Sequence, residues 1–393
     1  MKPSDRNFGR APGKVILSGE HSVVYGAPAL VVAIEAYTEV WFEQIHLSQG
    51  LHTAFDSLSQ GQLYPLDLLK TFKQRLDSRF DRFLRGDLAV QNILQRPDDL
   101  AVYTMSALLQ LLPVPGGQPN HRLPVPGRLH STSALPLGAG MGSSAAIIGA
   151  TIVLYEHLLK RPQTMSDRFE QVRFCERLQH GKGSAVDAAA VTYGGINRVQ
   201  NGAVSAPSPA SMAQLWQGEG WYRVSSGSPV TSTGECVSAV RQMFGSDQAL
   251  WQSFEDCTDA LQLALENGQS PVAALRENHQ LLSRLRIVPT TATHFIDAIE
   301  ASGGAAKICG AGAVRGEKAG IILVYQPDEE AFQSVIANYS QFSWDWLKIA
   351  DQGATLFGPG IGVTHPESGP HDPERSETEC PVFGGGAKAQ SDP

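Results

Sequence analysis

The sequence predicts an α+β protein built in two parts, and three observations lead there. A glycine-rich loop, Pro136 to Ala146, runs directly into an apolar segment of helical length. The region before it is β-rich, with short apolar runs bounded by Gly and Pro. In the second half helical patterns follow one another and then close on strand, Gly-rich loop and strand, as helices over an antiparallel sheet would read.

A chain of 393 residues has ample length for buried cores. Its 42% hydrophobic and 18% charged residues are those of a globular protein. A net charge of −8 argues against a nucleic-acid or anionic-membrane partner. An anionic ligand would need a local set of cations and N–H groups. The opening residues, MKPSDRNFGR, lack the apolar core of a signal peptide, and no apolar stretch reaches the ~18 residues of a membrane span. Five cysteines (Cys175, Cys236, Cys257, Cys309, Cys380) form no CxxC and are odd in number, which suits reduced thiols in a cytoplasmic protein.

In chain order, Lys14 to Leu17 reads as a short strand, Gly19 to Gly26 as a polar turn and Leu30 to Ile34 as a buried β run. Lys14 heads that strand, with Glu20 and His21 in the turn. A lone strand-end lysine is usually solvated; a lysine, a carboxylate and an imidazole converging on one Gly-bounded turn make a candidate site. Leu66 to Leu84 shows a helical stripe at Leu68, Phe72, Leu76, Phe80 and Phe83. Its interleaved basic and acidic residues read as a solvated face. Pro113 to Pro126 is a Pro- and Gly-rich loop.

The central loop reads PLGAGMGSSAA, with Gly138, Gly140 and Gly142 at alternate positions and Ser143 and Ser144 leading into Ala145 to Leu154. That run is too apolar for a surface helix. A glycine loop feeding a helix N-terminus binds anions, since free N–H groups approach closely and the helix dipole adds positive charge. Phosphate is the leading guest. A Walker loop is excluded by the missing lysine after Gly142, and a nucleophile elbow by Ala146 after Ser144. The G-x-G-x-G spacing makes a dinucleotide fingerprint a weak reading. A Gly-rich turn before a core helix remains the competing one.

Met165 to Gln179 is amphipathic, and Glu176 falls on the apolar stripe of Phe169 and Val172. A carboxylate there needs a cationic partner or a metal, and a helix-end salt bridge is the alternative. In the following HGKGSAVDAAAVTYGG, Ser184 is placed to cap a short helix and Asp187 falls at its third position. That is capping-box spacing, a structural role that competes with a catalytic one. Helices then read over Thr233 to Phe244, Ser246 to Asn267, Ser270 to Arg286 (Ser270 the cap, Pro271 first) and Thr290 to Ser302. KICGAGAVRGEKAGIILVY, from Lys307 to Tyr325, reads as strand, glycine loop and strand. A helix over Asp328 to Tyr339 and a strand follow, and beyond about Gly358 the composition is that of a disordered tail.

Three stretches together resemble the GHMP small-molecule kinases and, within them, the mevalonate kinase family. They are APGKVILSGEHSVVYG at Ala11, PLGAGMGSSAA with Met141 in place of leucine, and KICGAGAVRG at Lys307. Between them ERLQHGKGSAVD resembles E-R-x-x-H-G-N-P-S-G-V-D-N, with Lys182-Gly183-Ser184-Ala185 replacing Asn-Pro-Ser-Gly. The resemblance implies an N-terminal α/β domain over residues 1–222, a ferredoxin-like α+β domain over 223–357 and a site between them, with a tail over 358–393. It implies ATP held by Pro136, Gly138, Ala139, Gly140, Met141, Gly142, Ser143 and Ser144, with Mg²⁺ on Ser144 and Glu176. Asp187 and Lys14 would be catalytic, and Glu20, His21 and Thr233 would place the acceptor. A second glycine loop, Gly310, Ala311 and Gly312, would close over the site. The implied reaction is ATP-dependent phosphorylation of the primary hydroxyl of mevalonate, and a homodimer stays open. Competing readings are phosphomevalonate kinase, a decarboxylase of the same superfamily, another small-alcohol kinase, a non-catalytic sensor on this fold, and a serine hydrolase built on Ser144. The sensor is disfavoured because Lys14, Glu176 and Asp187 are all present.

Overall fold

The computed structural model describes residues 6–45, 50–56, 61–111, 126–136, 138–206 and 220–359. Most of the expected Pro113 loop and the tail beyond Pro359 lie outside the described residues, as do Leu137 and Cys380. Strands β1 (Phe8–Ser18), β2 (Ala29–Gln44), β3 (Gly50–Phe55), β4 (Leu63–Pro65), β5 (Gly127–Ser133), β6 (Ile196–Gln200) and β7 (Ala203–Ser205) come first in the chain. They are followed by β8 (Trp221–Ser225), β9 (Ala305–Ile308), β10 (Ile321–Tyr325), β11 (Ser343–Trp346) and β12 (Thr355–Phe357). The first sheet runs β12-β1-β2-β5-β3-β4, with β6 on β2 and β7 on β6; the second runs β11-β8-β10-β9. Only β3 and β5 pair in parallel among these strands. The chain therefore has the expected α+β class.

Strand β1 is longer than Lys14 to Leu17. Phe8 to Arg10 pair with Trp41 to Glu39 on one side and with Phe357 to Thr355 on the other. Pro12 sits at a register shift, where a residue without an N–H costs the ladder least. Lys14 lies in the body of the strand, opposite Ala33, rather than at its head.

The helices are α1 (Leu69–Leu84), α2 (Asp99–Leu111), α3 (Ser143–Leu159), α4 (Met165–His180), α5 (Ala185–Tyr193), α6 (Thr233–Phe244), α7 (Gln248–Glu266), α8 (Val272–Arg284), α9 (Thr290–Ala301) and α10 (Glu329–Ile336). Pro271, not Ser270, is the N-cap of α8, while Ser270 Oγ accepts from the Val272 N–H at 3.4 Å. The expected core helix is α3, whose Ala145, Ala146 and Ile148 to Glu156 are buried. It packs on β1, β2, α2, α4 and α5. At Gly149 a Cβ would stand 2.5 Å from Val191 Cγ1, so glycine there lets α5 lie close against α3. That contact fixes the helix bearing Asp187.

Two apolar cores result: the first spans the first sheet and one face of the second, through Trp221, Ala305, Ile321 and Leu323, and the second covers the other face of that sheet. The second gathers Tyr222, Phe254, Phe295 and Phe332, with the Tyr222 and Phe332 rings stacked at 3.7 Å. Sheet membership crosses the expected limits at residues 222 and 357. The second sheet begins at Trp221, and after Trp346 the chain returns to the first: Ala350 N–H donates to Ala33 O at 2.9 Å, and β12 pairs with β1.

Candidate active site

The central loop turns its backbone outward. Ala139 and Met141 are buried in the first core, whereas Gly138 and Gly140 are exposed and Gly142 is half-buried. All three glycines have positive φ, at 71°, 79° and 73°. Gly142 is the N-cap of α3 and provides no side-chain cap, so first-turn N–H groups are left for a ligand. Space is also short there: a Cβ on Gly142 would lie 2.9 Å from Lys14 Cγ and 3.3 Å from Asp187 Oδ1. Gly142→Ala should therefore combine left-handed strain of about 1–2 kcal/mol with a displaced Lys14. The expected result is a lower Tm and kcat down by about tenfold or more; a variant with wild-type kcat would show that this approach is not needed.

Lys14 and Asp187 meet beside that glycine, Nζ to Oδ1 at 3.0 Å, with both side chains largely buried. The Lys14 N–H also donates to Met141 O at 3.0 Å, which ties β1 to the loop. Two roles compete for Asp187, and the hydrogen bonds separate them. Ser184 Oγ caps α5 by accepting the Asp187 N–H at 3.2 Å. A capping box would return the Asp187 carboxylate to the Ser184 N–H, but that N–H donates to Glu176 Oε2 at 3.2 Å. The Asp187 carboxylate is left for Lys14. Burial opposes its ionised form, but Lys14 and the Ser184 hydroxyl outweigh burial and hold it below the usual carboxylate range.

Glu176 is almost completely buried, at 1% exposure. Burial first, and then the negative charge of Asp187, push its carboxyl well above the usual range. Its neighbours are Ser144, whose Oγ donates to Oε1 at 3.1 Å, and His180, whose Nε2 is 3.9 Å from the same oxygen. No Lys or Arg makes the alternative helix-end bridge to it among the described ion pairs. Ser144 and Glu176 are hard oxygen donors beside a phosphate-type loop, and they fit Mg²⁺, which takes few protein ligands and completes its shell with phosphate oxygens and water. No cluster of three or more His, Cys, Asp or Glu placed to hold a metal occurs among the described residues.

The second glycine loop reaches the first. A Cβ on Gly140 would be 3.6 Å from Cys309 O, and one on Gly310 would be 3.9 Å from Gly140 Cα. Ala311 O and His21 Nε2 are 3.1 Å apart, and Cys236 Sγ donates to Gly312 O at 3.5 Å. His21 has φ 60°, rare for a residue with a Cβ, and its Nδ1 is buried without a hydrogen-bond partner. Burial pulls its pKa down to about 4, against a smaller upward effect of Ala311 O. An unfolded histidine takes its proton near pH 6.5. This contribution to stability is thus complete above that pH and declines as pH falls toward 4, by up to about 3 kcal/mol. Melting curves should show His21→Gln losing less stability than wild type across that window; parallel curves would count against it.

Thr233 is the exposed first residue of α6, beside a capping box made by Ser232 and Glu235. Glu20 is paired with Lys307, and the two side chains are 1% and 0% exposed. His180 and Lys307 join the site without having stood out in the sequence. His180 follows Glu176 by one helical turn, a spacing that could have flagged it. Lys307 has no such local signal, since its partner is 287 residues away.

This geometry defines a class: a glycine loop with uncapped N–H groups at a helix N-terminus, with a lysine-held aspartate and a serine–glutamate pair beside it. Residues 101–195 match the family described as GHMP kinases N terminal domain, a span holding the loop, Glu176 and Asp187. The chain carries a GHMP kinase N-terminal domain and is an ATP-dependent small-molecule kinase. It is similar to the mevalonate kinase of Thermococcus onnurineus, with 25% identity over 363 residues, 89% of this chain and 98% of that one. It is also similar to the phosphomevalonate kinase of a Streptomyces species, with 28% identity over 371 residues, 83% of this chain and 91% of that one. A crystal structure of mevalonate kinase shares the fold at a TM-score of 0.71 and 20% identity, covering 87% of this chain and 98% of that one. No helix among the described residues is long and apolar enough to cross a membrane.

Proposed function

We propose that this kinase transfers the γ-phosphoryl group of ATP to the primary hydroxyl of mevalonate, giving 5-phosphomevalonate and ADP. The observation behind the mechanism is the buried Lys14–Asp187 pair, 3.0 Å apart at the edge of the glycine loop. The relatives named mevalonate kinase support the choice of acceptor.

Asp187 accepts the hydroxyl proton as the oxygen bonds to the γ-phosphorus and the bond to the β-phosphate oxygen breaks. Lys14 keeps the aspartate ionised until then and offers positive charge where negative charge accumulates. The open N–H groups at the start of α3 and the loop from Gly138 to Ser143 orient the phosphates. Mg²⁺ held by Ser144 and Glu176 supplies charge neutralisation on the phosphate oxygens when bound. His21, neutral at pH 7, helps place the acceptor as a hydrogen-bonding group rather than a charge. Thr233 remains the further acceptor-binding residue in this proposal.

A panel of mevalonate, phosphomevalonate and other small alcohols with ATP and Mg²⁺ tests the reading through ADP release and product mass. Mevalonate should be consumed fastest, with a product heavier by one phosphoryl group. Much faster turnover of phosphomevalonate would overturn the acceptor assignment and favour the activity named for the Streptomyces relative.

A further inference from the structure

Lys307 is fully buried on β9, and the mechanism makes no use of it. Burying an ammonium is costly unless it is paired and hydrogen-bonded. Lys307 satisfies both conditions on one short stretch of chain: Nζ donates to Ile16 O at 3.1 Å and pairs with the Glu20 carboxylate. Two neighbours repeat the link, Cys309 Sγ to Ile16 O at 3.5 Å and Ala311 O to His21 Nε2 at 3.1 Å. On its other side the same stretch is tied to the first glycine loop through Lys14 N–H and Met141 O.

Residues 14–21 are thus held between the two glycine loops, and the catalytic lysine is at one end of that segment. The segment is anchored from behind as well. Ser18 Oγ lies 2.7 Å from Thr258 Oγ1 on α7 and accepts from Asn278 Nδ2 on α8 at 2.8 Å. Apolar side chains of similar size could fill this space with equal or greater stability. An ion pair adds direction, fixing one register between β9 and the turn after β1.

We propose that Lys307 and Glu20 are positioning residues, whose ion pair sets the second glycine loop against the strand bearing Lys14 so that both loops face the nucleotide phosphates. Glu20 then acts through Lys307 rather than by touching the acceptor. The inference rests on the kinase assignment and is independent of which alcohol is phosphorylated.

The test compares the full chain with Lys307→Met, Glu20→Gln and the double variant. Four quantities are read: Tm, kcat, KM for ATP, and the affinity for a non-hydrolysable ATP analogue with Mg²⁺. Each single variant should melt lower, because one charge stays buried alone. The double variant should recover part of that loss, yet bind the analogue about tenfold more weakly or worse and show a similar fall in kcat/KM for ATP. A purely stabilising pair would instead move Tm and leave the analogue affinity and kcat/KM within about twofold of wild type in any variant that folds, which would overturn the proposal. If mevalonate is not the acceptor, the wild type still binds the analogue, and its affinity for the variants decides the matter alone.

Discussion

Asp187→Asn should fold, bind ATP and lose nearly all turnover. The cap of α5 survives, because Ser184 Oγ holds the backbone N–H of residue 187 and not its side chain. Lys14 keeps an amide oxygen within reach but loses its charged partner, so a modest fall in Tm is expected, on the order of 1–3 kcal/mol of stability. The rate should fall much further. An amide cannot take the hydroxyl proton, and loss of a general base typically costs about 10²- to 10⁴-fold. Phosphoryl transfer leans on positioning and charge stabilisation, so any value in that range fits. The check is kcat measured beside Tm and ATP affinity on the same preparation. A stable variant with near-normal kcat would remove Asp187 from the chemistry and leave it as a first-turn helix residue.

The elements read most readily from the sequence are those with a strong local pattern. The apolar run behind Gly142 is α3, and the capped segment at Ser184 is α5. Strand β1 is half legible, because Ala11, Pro12 and Gly13 hide its first part and only pairing with β2 and β12 extends it to Phe8. Three residues from Thr355 to Phe357 carry too little alternation to read as a strand, and β12 exists through its pairing with Phe8 to Arg10. Site residues follow the same division. Glu176 is flagged as a carboxylate on an apolar stripe, whereas the spacing of Asp187 reads equally as a capping box and only the resemblance marks it as catalytic. The destination of the Glu20 carboxylate cannot be read, because Lys307 approaches it from the other end of the chain.

Glu176→Gln should separate stability from activity. In the wild type this carboxylate is buried beside the negative Asp187, and no strong ion pair offsets the cost of ionising it. A glutamine of the same shape removes that cost and can keep both contacts. Its oxygen can accept the Ser184 N–H, and its NH₂ can donate to Ser144 Oγ, a hydroxyl able to act as acceptor as well as donor. Tm should therefore stay level or rise. Activity should move the opposite way, since an amide is a much weaker donor to Mg²⁺ than a carboxylate and leaves the phosphate charge less well neutralised. A fall in kcat of about 10²-fold or more is expected, together with a need for higher Mg²⁺ to reach half-maximal rate. Melting curves and Mg²⁺ titrations of the rate, run on wild type and variant together, make the comparison. An unchanged Mg²⁺ dependence would detach Glu176 from the metal, and a large drop in Tm would instead mark its carboxylate as a stabilising partner of Ser144 and Ser184.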